Sequence, residues 1–182
     1  MNAIHIILIT ILILTTIIVT LYIRKNNKLK FYKRRTEAAE KVIEEELDIR
    51  YELITSSKEV VKKNTKMELN FYEDLEKTKS ANINTVEFEK QLTTALATLH
   101  LISNDYPKLN DKKDFKEIMR KLDESDTKLD AAKSFYNSNN NKLNTLLKQF
   151  PTNIIGKFNK YKISPNYEAK EIFNAIEEDI RF

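Results

Sequence analysis

The feature that most constrains this chain is an uninterrupted apolar run near its N-terminus. Residues 4–23 read IHIILITILILTTIIVTLYI and contain no Lys, Arg, Asp or Glu. A helix of that length rises about 30 Å, the thickness of a bilayer's hydrocarbon core, so the run predicts a transmembrane helix. A buried helix of a soluble protein is usually shorter and less apolar. A cleaved signal peptide carries a basic start and a small-residue cleavage site, which this stretch lacks.

Basic residues follow the apolar run directly. Residues 24–35, the first basic segment, carry seven Lys and Arg and no acid, whereas residues 1–3 carry no charged side chain. Basic residues beside a span stay on the cytoplasmic side, so we expect the N-terminus outside and the following domain in the cytoplasm. The predicted membrane-surface contacts are Arg24, Lys25, Lys28, Lys30, Lys33, Arg34 and Arg35. The sequence leaves open whether they bind anionic headgroups in general, at about 1 kcal/mol each, or one lipid specifically.

The positive charge of the chain is local. The whole chain has a net charge of +4, but from Thr36 onward 24 basic residues face 27 acidic ones, a net of −3. A nucleic-acid partner for the folded part is therefore not expected. The length suits one domain plus an anchor. We divide the chain into an anchor at 1–23, a basic juxtamembrane segment at 24–35 and a helical domain at 36–182.

The scarcity of turn-forming residues predicts an all-α fold. The chain has one Gly and three Pro, so long helices are favoured over hairpins. A first helix is expected to continue from the membrane to about Thr78, and a second to start at an Asn84–Glu87 capping box. A third is expected over about Asp111–Gln149, followed by an irregular packed connection and a short helix from about Tyr167. An antiparallel four-helix bundle with long first and third helices results, with a coiled-coil oligomer as the alternative.

The third helix carries the clearest periodicity. Apolar residues recur every seven positions, which predicts a seam that packs against other helices. They are Phe115, Leu122, Leu129, Tyr136, Leu143 and Phe150. Ser125 and Asn139 fall in the companion positions of this seam. A polar residue at such a position is more often a register device than a ligand-binding group.

No constellation of reactive residues is evident in the sequence. The chain has no Cys and two His, and no Glu lies three residues before His100, as a di-iron bundle would require. A single Gly excludes a glycine-rich phosphate loop. Glu44, Glu45 and Glu46 read as a solvated helix face, because adjacent helical residues point in different directions. We therefore expect no catalytic activity, no cofactor and no metal site.

The C-terminal half resembles the LemA family. The resemblance includes Arg50 and Leu53-Ile54 upstream, Asp126 to Lys133 in the third helix, and Asn153-Ile154-Ile155 near the end. Its most characteristic residues are Tyr106, Pro107, Leu109, Tyr136, Asn137, Phe150 and Pro151. The chain departs from the family pattern at Thr55-Ser56, Leu143-Asn144 and Lys160-Tyr161, as a divergent member would. The resemblance implies a membrane-anchored four-helix bundle and supplies no catalytic residues.

Together these features predict a single-pass membrane scaffold or adaptor without catalytic activity. Its expected partners are a bilayer with anionic headgroups and a protein of unknown identity, with homo-oligomerisation as a further option. Two other functions stay open. One is a relay that passes a signal along a continuous helix, and the other is a membrane-anchored organiser of division or envelope assembly.

Overall fold

The protein is helical along almost its whole described length. The computed structural model describes residues 3–65, 70–81 and 85–167. The helices are α1 (Ala3–Thr65), α2 (Phe71–Ser80), α3 (Thr85–Asp105), α4 (Lys113–Lys148) and α5 (Thr152–Phe158), with a 3₁₀ turn at Pro107–Leu109. No β-strand occurs in the described ranges. The all-α prediction is confirmed, and the fold is a helical bundle.

Helix α1 combines the apolar run and the first basic segment in one element of 63 residues. The helix continues without a break through Asn26 and Asn27, just after the apolar run gives way to the first basic segment. Among the described residues, α1 is the one helix long and apolar enough to cross a membrane, and no residue of its apolar window is buried. The core helix of a soluble protein would be mostly buried, so this exposure argues against that alternative.

The predicted extension of the first helix to Thr78 was wrong. Helix α1 ends at Thr65, and α2 begins separately at Phe71. The backbone N–H groups of Glu73 and Asp74 donate to the carbonyl of Asn70 at 3.0 and 3.1 Å, which starts the new helix. Two acids in this first turn suit the positive end of a helix dipole. A sequence without Gly or Pro therefore still changes helix here.

The chain folds as two compact units. The first unit comprises residues 1–38 and 136–166, and the second comprises residues 39–135 and 167–182. In the first unit a cluster of buried apolar side chains joins α1, α4 and α5. It contains Leu29, Leu143, Leu146 and Ile155, with Tyr32, Leu147 and Tyr161 packed against it. The predicted irregular connection after Pro151 was wrong in part, because α5 lies within it.

The same unit fixes the segment after α5 through two amides of α4. The Asn140 side chain, which is fully buried, donates to the carbonyls of Ser164 and Pro165 at 3.0 and 2.9 Å. The Asn144 amide donates to the Ser164 carbonyl at 2.7 Å and accepts from its N–H at 3.2 Å. These bonds hold an extended stretch without secondary-structure partners against α4.

The core of the second unit follows the predicted periodicities. The six apolar positions predicted for the second helix are buried: Phe88, Leu92, Ala95, Leu96, Leu99 and Ile102. The heptad positions Phe115, Leu122 and Leu129 and the companion Ser125 are buried in this unit, and the later positions Tyr136, Asn139 and Leu143 are buried in the first unit. Phe150 contradicts the prediction, since it is 79% exposed. Helix α4 ends at Lys148, before the last heptad position is reached.

Two sequence predictions fall outside the described residues. They are the Asn84 side of the capping box and the final helix beyond Tyr167. Tyr167 itself is buried.

Candidate membrane-facing site

The first basic segment presents its charges around the exposed side of α1. Leu29 and Thr36 mark the buried side, and Lys25 and Lys33 are half-buried beside it. The remaining five basic residues are exposed: Arg24, Lys28, Lys30, Arg34 and Arg35. Lys33 pairs with Glu37 at 3.1 Å, one turn along the helix. The geometry leaves most of the predicted membrane-surface contacts accessible to headgroups.

A second basic segment, residues 142–162, folds into the same unit. It contains five exposed lysines: Lys142, Lys148, Lys157, Lys160 and Lys162. The Lys142 ammonium lies 5.9 Å from the ring centroid of Tyr32 on α1. Sequence reasoning missed this segment, because its lysines are scattered along the chain. The available signal was the absence of any Asp or Glu from residue 131 to residue 167.

The two basic segments make the charges of the two units opposite in sign. The first unit contains twelve Lys and Arg and one acid, Glu37, a net of +11. The whole chain has 31 basic and 27 acidic residues, so the second unit has 19 against 26, a net of −7. The overall charge of +4 therefore conceals a strong separation. A separation of this size gives the first unit a strongly positive potential and the second a negative one.

Three of the family-motif residues build the turn between α3 and α4. Helix α3 ends before Tyr106 and Pro107, Tyr106 precedes the 3₁₀ turn, and Leu109, the last residue of that turn, is fully buried. The Asn110 amide donates to the Ser103 carbonyl at 3.1 Å, and its oxygen accepts from the Ser103 hydroxyl at 2.6 Å. These residues therefore fix a chain reversal.

The other four motif residues lie in the first unit. Tyr136 is buried in α4, and Asn137 beside it is half-buried. Phe150 is exposed, and the peptide bond between it and Pro151 is cis. Buried motif residues account for packing, whereas an exposed Phe does not contribute to a core. Phe150 is thus the motif residue that packing leaves unexplained.

An ion pair joins α1 to α4 inside the second unit. Arg50 is 1% exposed, and its Nη2 lies 2.5 Å from Oδ1 of Asp126. The carboxylate side is about half exposed, so water reaches one end of the pair. The Arg50 Nε has no hydrogen-bond partner. Arg50 and Asp126 are both among the residues that carry the family resemblance. Their ion pair gives both of them a structural role.

Two further polar clusters stabilise the second unit. Glu46 is buried, accepts a hydrogen bond from Ser125 at 3.2 Å and lies 3.6 Å from Lys128. The prediction that Glu44–Glu46 is a solvated face was therefore wrong for Glu46, because the heptad serine faces it.

In the second cluster Glu89 pairs with Lys133 and accepts from the Tyr167 hydroxyl at 3.0 Å. The Lys133 ammonium also lies 5.1 Å from the Tyr167 ring centroid. These groups satisfy one another and tie the start of the C-terminal segment to α3 and α4.

One buried tyrosine has a perturbed acidity. Burial raises the pKa of Tyr72 to about 12, and a hydrogen bond with Ser57 at 2.7 Å opposes part of that rise. On the surface, Lys121 lowers the pKa of Glu117.

Within residues 3–65, 70–81 and 85–167, no group of three His, Cys, Asp or Glu is arranged to hold a metal ion.

Comparison with known proteins identifies the family. No curated protein matches the chain. The family model described as the LemA family matches residues 39–182, which is more than half of the chain. The match begins at the first residue of the second unit and extends through α3, α4 and α5. This protein belongs to the LemA family.

Proposed function

We propose that this protein is a single-pass membrane scaffold or adaptor, with its N-terminus outside, its helical domain in the cytoplasm and no catalytic activity. The observation that carries the proposal is the charge separation between the two units. The apolar run lies in the cationic unit, so insertion of the run and attraction to anionic headgroups act on the same part of the chain.

The orientation rests on the order of charges along α1. All seven basic residues of the first basic segment follow the apolar run, and none precedes it. Basic residues close to a span resist translocation, which keeps their side in the cytoplasm. The uncharged residues before the run present no comparable barrier to translocation.

The scaffold role rests on the second unit. Its net charge of −7 opposes adsorption to anionic lipid, which leaves its surface free for proteins. A groove of about 550 Å³ lies between α1 and α4 of this unit. Half-buried Leu53 and exposed Ile49 form its apolar part, and Lys121, Glu124 and Lys128 provide charged walls. Apolar contact framed by charges is typical of protein-binding surfaces.

The orientation is tested with single cysteines, because the chain has none of its own. Leu101→Cys introduces a thiol at a position of α3 that is 64% exposed, and Asn2→Cys introduces one before the apolar run. An impermeant maleimide applied to intact cells should label residue 2 and leave residue 101 unlabelled until the membrane is permeabilised. Labelling of residue 101 in intact cells would contradict the proposed orientation.

The adaptor role is tested by photo-crosslinking in the native membrane. A benzophenone side chain at Ile49 should yield a discrete protein adduct, which the substitution Lys121→Glu, at an exposed position in the groove wall, should abolish. The same side chain at Leu101, outside the groove, is the matched control. Adducts that are equal at the two positions would argue against a specific groove partner.

A signal relay is the second candidate, and the continuity of α1 from Ala3 to Thr65 favours it. Two residues inserted after Val19 rotate the following helix by about 200°, whereas four rotate it by about 40°. A relay that depends on rotation should fail with two residues and recover with four in a complementation assay. A simple tether should tolerate both insertions or decline steadily with length.

A further inference from the structure

The outer face of α5 is apolar and has no covering element within the described residues. Phe150, Ile154 and Phe158 are spaced four residues apart and are 79%, 59% and 81% exposed. Ile154 and Phe158 lie four residues apart within α5 and therefore share one helix face, and exposed Phe150 lies two residues before the first residue of α5. We call these three residues the patch. The opposite side of α5, with Thr152, Ile155 and Gly156, is buried. Packing within the unit therefore accounts for the buried side of α5 but not for the apolar residues on its exposed side.

The position of α5 in its unit indicates what covers the patch. Ile155 packs in the same cluster as Leu29 of α1. At the end of α5, the Asn159 amide donates to the Asn26 side-chain oxygen at 3.1 Å. Asn26 lies three residues beyond the apolar run, about 4.5 Å along the helix axis. Helix α5 is therefore held beside α1 at the level where that helix leaves its apolar segment.

The charges around the patch match a lipid surface. Lys157 and Lys160 lie on or next to α5, Lys148 precedes it, and no acid occurs from residue 131 to residue 167. Helices that lie in the headgroup region combine a bulky apolar face with surrounding lysines in this way. Exposed Ile163, further along the same unit, adds another apolar side chain. An apolar face bordered by lysines and free of acids suits a surface that presents anionic headgroups above apolar acyl chains.

We propose that α5 is a second membrane contact, in which Ile154 and Phe158, with Phe150 just before the helix, insert into the headgroup and upper acyl region of the leaflet that α1 leaves. The proposal rests on the proposed anchoring of α1. The span and α5 then fix the first unit to the bilayer at two points, so that it cannot rotate about a single helix. Phe150, which packing leaves unexplained, obtains a role as a lipid-inserting residue.

The test uses the full chain in vesicles of phosphatidylcholine and phosphatidylglycerol, with one cysteine at a time carrying an environment-sensitive nitrobenzoxadiazole label. Phe158→Cys and Ile154→Cys report on the patch. Tyr22→Cys marks the end of the apolar run, Ile13→Cys marks its middle, and Leu101→Cys is the matched exposed position in the second unit. Lipids with a nitroxide at a shallow or a deep acyl position serve as quenchers, and circular dichroism verifies folding.

Shallow nitroxide lipid should reduce the emission at residues 158 and 154 by a fraction similar to that at residue 22, with no loss at residue 101. Red-shifted emission quenched by iodide at residue 158 would show a water-exposed face and overturn the proposal. Blue-shifted emission that no lipid quenches would show a face covered by protein, either a second copy or another part of the chain, and would also overturn it. Loss of deep quenching at residue 13 would instead refute the anchor.

Discussion

Substitutions at the two ends of the ion pair between Arg50 and Asp126 are expected to have unequal effects on stability. Arg50 is buried, whereas the side chain of Asp126 is 55% exposed. Removal of the acid leaves a buried guanidinium without its counter-charge, which costs several kcal/mol in proteins. Removal of the arginine leaves an acid that water solvates. We therefore expect Asp126→Ala to destabilise the protein far more than Arg50→Met.

The magnitudes follow from the same geometry. Breaking a fully buried pair costs about 3–5 kcal/mol, and the half-exposed Asp126 places this case at the lower end, about 3 kcal/mol. In a domain of this size each kcal/mol lowers the Tm by about 2–4 °C, so Asp126→Ala should lower it by about 6–12 °C. Arg50→Met should cost about 1 kcal/mol or less, since methionine is a long apolar side chain that fills much of the same volume and leaves no buried charge. The double variant should resemble Arg50→Met.

The assay is thermal unfolding of the full chain in detergent micelles, followed by circular dichroism. Asp130→Ala, one turn further along α4 at an exposed position, is the matched control and should change stability by less than about 0.5 kcal/mol. Equal effects of Asp126→Ala and Asp130→Ala would mean that water already solvates the guanidinium. A loss in Arg50→Met as large as that in Asp126→Ala would mean that arginine packing, not charge pairing, is what stabilises this contact.

Three further predictions concern single side chains. Asn140→Ala should cost about 2 kcal/mol and open the chain near residue 162 to trypsin, because its three acceptors lose a buried donor; exposed Asn141→Ala should do neither. The folded pKa of Tyr72 lies above its ordinary value of 10.0, so its neutral form stabilises the fold below pH 10, and that stability is lost as pH rises through about 12. Tyr72→Phe loses the hydrogen bond with Ser57, so it should be less stable than wild type at neutral pH, and the Tm difference should narrow as the pH rises through this range. Gly156→Ala should change the free energy of unfolding by less than about 1 kcal/mol, since the gain in helix propensity offsets the displacement of a flexible leucine end, and chemical unfolding measures this.

Periodicity predicted the parts of the fold that depend on one helix at a time. Leu122 and Leu129 are buried because a seven-residue repeat places them on one face of α4, whatever packs against it. The same rule failed at Phe150, since periodicity does not state where a helix ends. The division between α1 and α2 was missed for a related reason, because no Gly or Pro marks it in the sequence.

Contacts between residues far apart in the sequence could not be predicted from local sequence patterns. Glu44 and Glu46 look alike in the sequence, and only the position of Ser125 opposite one of them distinguishes a buried acid from a solvated one. The second basic segment shows the opposite case. Its signal, 37 consecutive residues without an acid from 131 to 167, was present in the sequence. It was overlooked because the lysines form no run.

The two basic segments have different functions that can be tested separately. A topology signal acts only within about 15–20 residues of a span, and the first basic segment satisfies that limit. Lys142 lies more than a hundred residues beyond Ile23, so the second basic segment cannot direct insertion of α1. Its charge therefore serves the folded protein, which gathers both segments into one unit next to the patch on α5. Replacement of the five later lysines by Gln should leave the orientation unchanged and weaken the quenching of a label at residue 158, whereas replacement of the seven earlier ones should disturb the orientation itself.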